Sequence, residues 1–207
     1  MAGTKILNKR SVIIDAARAL FARQTFEKTT IEEIAKSIPM SKGTLYTEFS
    51  SKEEIMLEIC REHCRYVVEM MNTTATNSSS DHIDNLKEML MGAVLYVHGQ
   101  AQSVQTPEAL VYVSNKVNGE MSSFFQAQQA QIIVLLKKAA NANEISEEMD
   151  LLQLSSTLMS ILSAYLPPYN RPLFPKDARP TKRALEKDYK IFLDLFFNGL
   201  KRQPSYR

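Results

Sequence analysis

The chain has no tryptophan, three histidines, two cysteines and only six glycines in 207 residues. Each scarcity excludes something. There is no Gly-rich loop to cradle phosphates, no base–nucleophile motif and little histidine for acid–base work, so neither an enzyme nor a bound cofactor is expected. Two cysteines do not make a disulfide framework, and the opening "MAGTKILNKR" lacks the apolar core of an export signal, which together imply a reducing cytoplasm. No apolar run reaches the roughly 18 residues that would suggest a membrane span. What the chain has in quantity is Ala, Leu, Met, Glu, Gln and Lys, all good helix formers. The expectation is an all-α protein with a real core, given 44% hydrophobic and 23% charged residues.

Charge is unevenly spread. Residues 1–52 carry nine Lys/Arg against five Asp/Glu, a net +4, while residues 53–170 carry six against fourteen, a net −8. Residues 171–207 return to +6, with ten against four. A basic head on an acidic body suits a head that meets a polyanion, although differently solvated helix faces give the same pattern.

Periodicity and capping signals divide the chain into nine predicted helices. The first runs over 9–23, with Ile13, Ala17, Leu20 and Phe21 on its inner stripe. The second is capped by Thr30 with Glu33 reaching back, and Pro39 should stop it near Ser37. The third starts at Ser41, and the fourth starts at Ser51, with Glu54 completing another capping box, and ends near Met71. "NTTATNSSSD", residues 72–81, reads as a loop. Further helices are expected over 82–102, from Thr106 and Pro107 to Gly119, over 120–142, from just after Ser146 to Leu166, and over 181–202. "PPYNRPLFPKDARP" has five prolines in fourteen residues and cannot be helical throughout.

The segment "ARALFARQTFEKTTIEEIAKSIPMSKGTLYTEFSSKEEIMLEI", from Ala17, spaces its residues as "AxxLF…TTIxxIA…SKGTLYxxF…SKEE". The short helix after Ser41 places Leu45 and Phe49 inward, four residues apart, with Met40 anchoring the turn. It turns Ser41, Lys42, Thr44, Thr47 and Glu48 outward, and Gly43 removes side-chain bulk so that the helix can approach a groove closely. This segment resembles the DNA-binding domain of the TetR family of transcriptional repressors. The resemblance implies a helix–turn–helix domain over residues 1–52 and a ligand-binding and dimerisation domain over 53–207. It also implies a homodimer on a double-stranded palindromic operator, released by a small-molecule effector. By the same resemblance, Lys42, Gly43, Tyr46 and Thr47 meet bases or phosphates, and Thr30 and Lys52 meet phosphates at helix starts. The chain departs from the family pattern at Ile38 and Pro39 in the turn, at Thr47 and Glu48, and at Thr25, where a glycine usually ends the first helix. Pro39, Thr47 and Glu48 support the rival reading of a helical dimer whose DNA head is degenerate and which acts through protein partners.

In the C-terminal part, apolar residues from Leu185 to Leu200 cover an arc of about 240° at roughly 100° per residue, wider than a surface helix needs. That helix is either wholly buried or serves both its own core and a second subunit. Family analogy places an effector pocket among the aromatic and sulfur-bearing residues His63, Tyr66, Met89, Tyr96, Tyr112, Phe125 and Tyr165, although the spacing of each also fits plain core. "CREHC" sets Cys60, His63 and Cys64 on one helical face, a donor set suited to zinc or copper. Packing in the core explains it as well, and no metal is expected.

Overall fold

The structure, a computed structural model, describes residues 8–76, 81–103, 107–166 and 180–200, with only the backbone described over 101–121. Eight helices form it: α1 Lys9–Gln24, α2 Ile31–Lys36, α3 Lys42–Glu48, α4 Lys52–Thr76, α5 His82–Ser103, α6 Pro107–Asn141, α7 Leu151–Ala164 and α8 Lys182–Leu200. No strand occurs among the described residues. None of their helices is long and apolar enough to cross a membrane. The all-α expectation holds. The proline-rich stretch at 167–179 and the loop residues 77–80 lie outside the described residues.

Three boundaries and one cap differ from the sequence reading, each for a local reason. The segments expected on either side of Gly119 are one helix of 35 residues. An interior glycine costs a helix only about 1 kcal/mol; it stops one when it adopts positive φ, and no described glycine does. The polar "NTTAT" continues α4, because Met71 and Ala75 keep the buried stripe in register through it. Glu147 and Glu148 precede α7 instead of opening it, since Asp150 caps that helix by accepting from the N–H groups of Leu152 and Gln153. At the start of α4, Ser51 Oγ accepts from Glu54 N at 3.1 Å as expected. The Glu54 carboxylate, however, reaches one residue further back, to the N–H (2.7 Å) and hydroxyl (2.8 Å) of Ser50.

The chain divides into two compact units, Met1–His63 with Gln100–Asn118, and Cys64–Gly99 with Gly119–Arg207. In the first, Ile13, Ala17 and Phe21 of α1, Ile34 of α2, Leu45 of α3 and Ile55, Met56 and Ile59 of α4 are fully buried. In the second, Leu86, Leu90 and Val94 of α5 and Ile132, Leu135 and Leu136 of α6 share one core with Leu158 of α7 and Tyr189 and Phe197 of α8. At about 25 cal/mol per Å² of apolar surface, each large side chain buried this way stabilises its unit by about 1.5–3 kcal/mol.

Candidate nucleic-acid interface

The geometry of α2 and α3 begins with their caps. Thr30 and Glu33 form the predicted capping box: Thr30 Oγ1 accepts from Glu33 N, and Glu33 Oε2 accepts from Thr30 N at 2.8 Å. Ser41 Oγ accepts from Thr44 N at 3.1 Å and lies 2.9 Å from Thr44 Oγ1. Between these helices the chain turns without any positive φ, so Pro39 fits its own preferred backbone. The turn is anchored by Ile38, which is buried, whereas Met40, the expected anchor, is only half-buried. A β-branched residue where the resembled family has a small one therefore serves as a packing peg.

On α3, Leu45 and Phe49 are buried as expected. Lys42 with Tyr46, and Gly43 with Thr47, form two adjacent outward rows at i, i+4 spacing. All four are exposed, and a Cβ added to Gly43 would meet nothing nearer than Ser41 Oγ at 3.8 Å. Thr47 returns its hydroxyl to Gly43 O at 2.9 Å, so its methyl group is its free outward feature. The carboxyl end of α3 is held by Arg10, which donates to Glu48 O at 2.6 Å and lies 4.0 Å above the Phe49 ring. A guanidinium there also complements the negative end of the helix. Arg10 was not legible as a partner of α3, because the two are 38 residues apart in the chain.

Two residues behave differently from a bare basic footprint. Lys52 Nζ donates to the carbonyls of Phe26 (2.9 Å), Glu27 (3.2 Å) and Thr29 (2.9 Å), which uses all three of its hydrogens to brace the corner after α1. Glu32 of α2 accepts from Lys42 Nζ at 2.7 Å and from the Tyr46 hydroxyl at 3.4 Å. The hydrogen bond from Lys42 holds the Glu32 carboxyl below its usual range, and the Lys42 ammonium is correspondingly raised by Glu32. Sequence reading did not single out Glu32.

The braced corner contains a strained residue. Thr25 has φ 74° and ψ 159°, a region that β-branched residues avoid. Its N–H donates to Phe21 O, and its carbonyl accepts from the buried Thr29 hydroxyl at 2.7 Å. Here the chain does with threonine what the resembled family does with glycine.

The candidate effector residues have different surroundings. Met89 and Tyr165 belong to the packed core of the second unit, where Tyr165 lies 4.3 Å from the Tyr189 ring, centroid to centroid. Tyr66 and Tyr96 stack on each other at 4.4 Å, with Tyr66 half-exposed. Phe125 lines an open groove of about 460 Å³ between α6 and α7, together with Gln126, Gln129, Met159 and Ser160. The Tyr112 side chain lies outside the described residues. His63 belongs to the first unit, where burial and the nearby Arg18 charge push its imidazole down to about 4. Burial pushes the Cys64 thiol up to about 11, which leaves it a poor thiolate. Among the described residues no group of three or more His, Cys, Asp or Glu is placed to hold a metal ion.

On α8, Leu185, Tyr189, Leu193 and Phe197 face the core, while Ile191 and Leu195 are 50% and 70% exposed. The wholly buried reading of this helix is therefore wrong for the single chain. Leu152 of α7 is 63% exposed as well.

Residues 13–59 match the family model of bacterial regulatory proteins, tetR family. The chain is 30% identical over 128 residues to the negative transcriptional regulator IcaR of the biofilm operon icaADBC of Staphylococcus aureus. That match covers 58% of this chain and 65% of the length of IcaR. Among solved structures, the fold is shared with a TetR-family regulator from Mesorhizobium loti (19% identity, TM-score 0.68, 96% of this chain and 100% of that one). It is shared too with SmeT, the repressor of the Stenotrophomonas maltophilia multidrug efflux pump SmeDEF (16% identity, TM-score 0.64, 97% and 94%).

Proposed function

We propose that the chain, whose residues 13–59 match the tetR family model, is a member of that family and a dimeric repressor that lays α3 of each subunit in a major groove of a palindromic operator. The observation that carries this reading is the pair of outward rows on α3, Lys42–Tyr46 and Gly43–Thr47, exposed on a helix clamped from behind by Leu45 and Phe49. In this reading Gly43 and Thr47 approach base edges, the threonine methyl suiting a thymine methyl, and Lys42 and Tyr46 take phosphate oxygens. Thr30, Ser41 and Thr44 stand at the rim with hydroxyls already engaged in the caps. Lys52 serves as the brace that sets the corner and lends charge to the surface.

Dimerisation would cover the outward apolar faces of α7 and α8, where Leu152, Ile191 and Leu195 are exposed. A two-fold dimer is what a helix–turn–helix protein uses to span two half-sites. A small-molecule effector would act in the second unit; the groove lined by Phe125 supports space for one. Such an effector regulates only if it binds the DNA-competent and DNA-incompetent states unequally. The helix α4, whose first half belongs to one unit and second half to the other, is the segment through which it would act.

The test is selection of bound duplexes from a random library, followed by salt titration of the best binder. A palindrome with half-sites about one helical turn or a multiple apart is the expected result. Weak binding, equal for all sequences and lost with salt, would instead favour a degenerate head that works through protein partners.

A further inference from the structure

We infer that Glu32 is a built-in competitor for DNA phosphate, holding Lys42 and Tyr46 closed and thereby suppressing binding to the wrong sequences. The inference rests on the proposed DNA-binding role of α3. One Glu32 oxygen takes the Lys42 ammonium at 2.7 Å and the Tyr46 hydroxyl at 3.4 Å. An ammonium and a phenol hydroxyl are a donor set that a phosphate oxygen also takes. The three side chains are exposed on neighbouring helices, with the Lys42 ammonium 5.6 Å from the Tyr46 ring centroid, so cation, ring and carboxylate form one closed group.

The neighbouring acid, Glu33, is committed elsewhere, to Thr30 and to Gln24 Nε2 at 3.1 Å. Glu32 takes only its own backbone N–H at the start of α2, and its carboxylate also reaches the α3 face. The exposed pair contributes little to folding. Its effect lies in binding: a duplex must displace the carboxylate from Lys42 and bring phosphates close to a like charge. A cognate operator recovers that cost through base contacts, whereas a random duplex has only phosphate attraction to offer. Glu32 should therefore widen the gap between specific and non-specific affinity.

Glu32→Gln in the full-length chain tests this, with Lys42→Gln and the double variant completing a cycle. Affinity is measured on the selected operator and on a random duplex across a salt series. The expected result is binding of E32Q to random duplex about three- to tenfold tighter than wild type at low salt. Its salt slope should steepen by up to about 0.9, one additional phosphate contact. The operator should gain less, and in the Lys42→Gln background the gain should shrink. Unchanged or weaker random binding by E32Q would overturn the inference, as would a gain that persists undiminished without Lys42. If the wild-type chain binds no duplex at low salt, the DNA-binding reading itself fails and the inference goes with it. If wild type binds a palindrome while E32Q shows no change, only the competitor role fails. A thermal melt of E32Q within about 2 °C of wild type would establish that the comparison is between folded proteins.

Discussion

The outward face of α3 and the Ile191–Leu195 side of the second half of α8 are both exposed, and they expose opposite chemistry. On α3 the exposed residues are Lys42, Gly43, Tyr46 and Thr47: one charge, two hydroxyls and a gap. On α8 they include Ile191 and Leu195, each at least half-exposed. A polar face loses little in water and can exchange its solvent for phosphates and base edges. An apolar face is held at a cost in water, and a matching protein surface relieves that cost. Exposure alone thus assigns no role; what is exposed does.

The sharpest break in the comparison should come on α8. Leu195→Glu puts a charge at the centre of the exposed stripe while leaving the core positions Leu193 and Phe197 untouched. Sedimentation should then show monomer, and operator affinity should fall by about a hundredfold or more, since the second half-site loses its tether. A dimer retained by that variant would remove α8 from the interface.

Next in size is Gly43→Ala. The added methyl meets only Ser41 Oγ at 3.8 Å in the free chain, so the melting temperature should hold or rise slightly. Operator affinity should fall by about tenfold, equivalent to about 1.4 kcal/mol, because in the proposed docking the methyl stands where α3 approaches the bases. Equal affinity would mean that this face of α3 does not enter a groove.

A smaller effect follows from pH. The His63 imidazole titrates at about 4 in the folded chain against an ordinary 6.5. Between those values the unfolded chain binds more protons, so stability falls as pH drops from about 6.5 and the loss levels off below about 4. Discounted for partial exposure, the whole effect is on the order of 1–2 kcal/mol. His63→Gln should flatten that part of the profile of melting temperature against pH; an unchanged profile would assign the slope to other groups.

The smallest effect compares the two non-glycine residues with positive φ among the described residues, one in each unit. Asn143 at φ 60° ends α6 in a Schellman arrangement, with Glu144 N donating to Ala139 O and Asn143 N to Ala140 O. Asparagine tolerates that conformation, whereas threonine at φ 74° does not. Thr25→Gly should therefore raise stability by about 1 kcal/mol, and Asn143→Gly should change it by only a few tenths. Urea unfolding of the two variants measures the difference.

Much of the local geometry of α2 and α3 was legible because it is made locally. The Thr30–Glu33 capping box, the Ser41 cap and the Leu45–Phe49 pair are all set by spacings of three or four residues. Such spacings act through the helix repeat wherever the helix lies. Spacing gives no such guide to the candidate effector residues. Aromatics at helical spacing read alike whether they pack in a core, as Tyr165 does, or stand open to solvent, as Phe125 does.

By itself, then, the sequence determined helix content, most caps and the buried stripes, since each depends on neighbours within one helical turn or so; on α3 it placed Lys42 and Thr47 outward correctly, whereas Thr44 and Glu48 are half-buried and Tyr46 is exposed. Only the tertiary structure decided that Arg10 holds the end of α3 and that Lys52 braces carbonyls more than twenty residues earlier. It also decided that the Glu144 carboxylate, 62 residues away along the chain, caps α5 through the N–H groups of His82 and Ile83. Those partners carry no mark of each other in composition or periodicity. A charged group finds its orphaned backbone atoms only after the helices have packed and the water between them has gone.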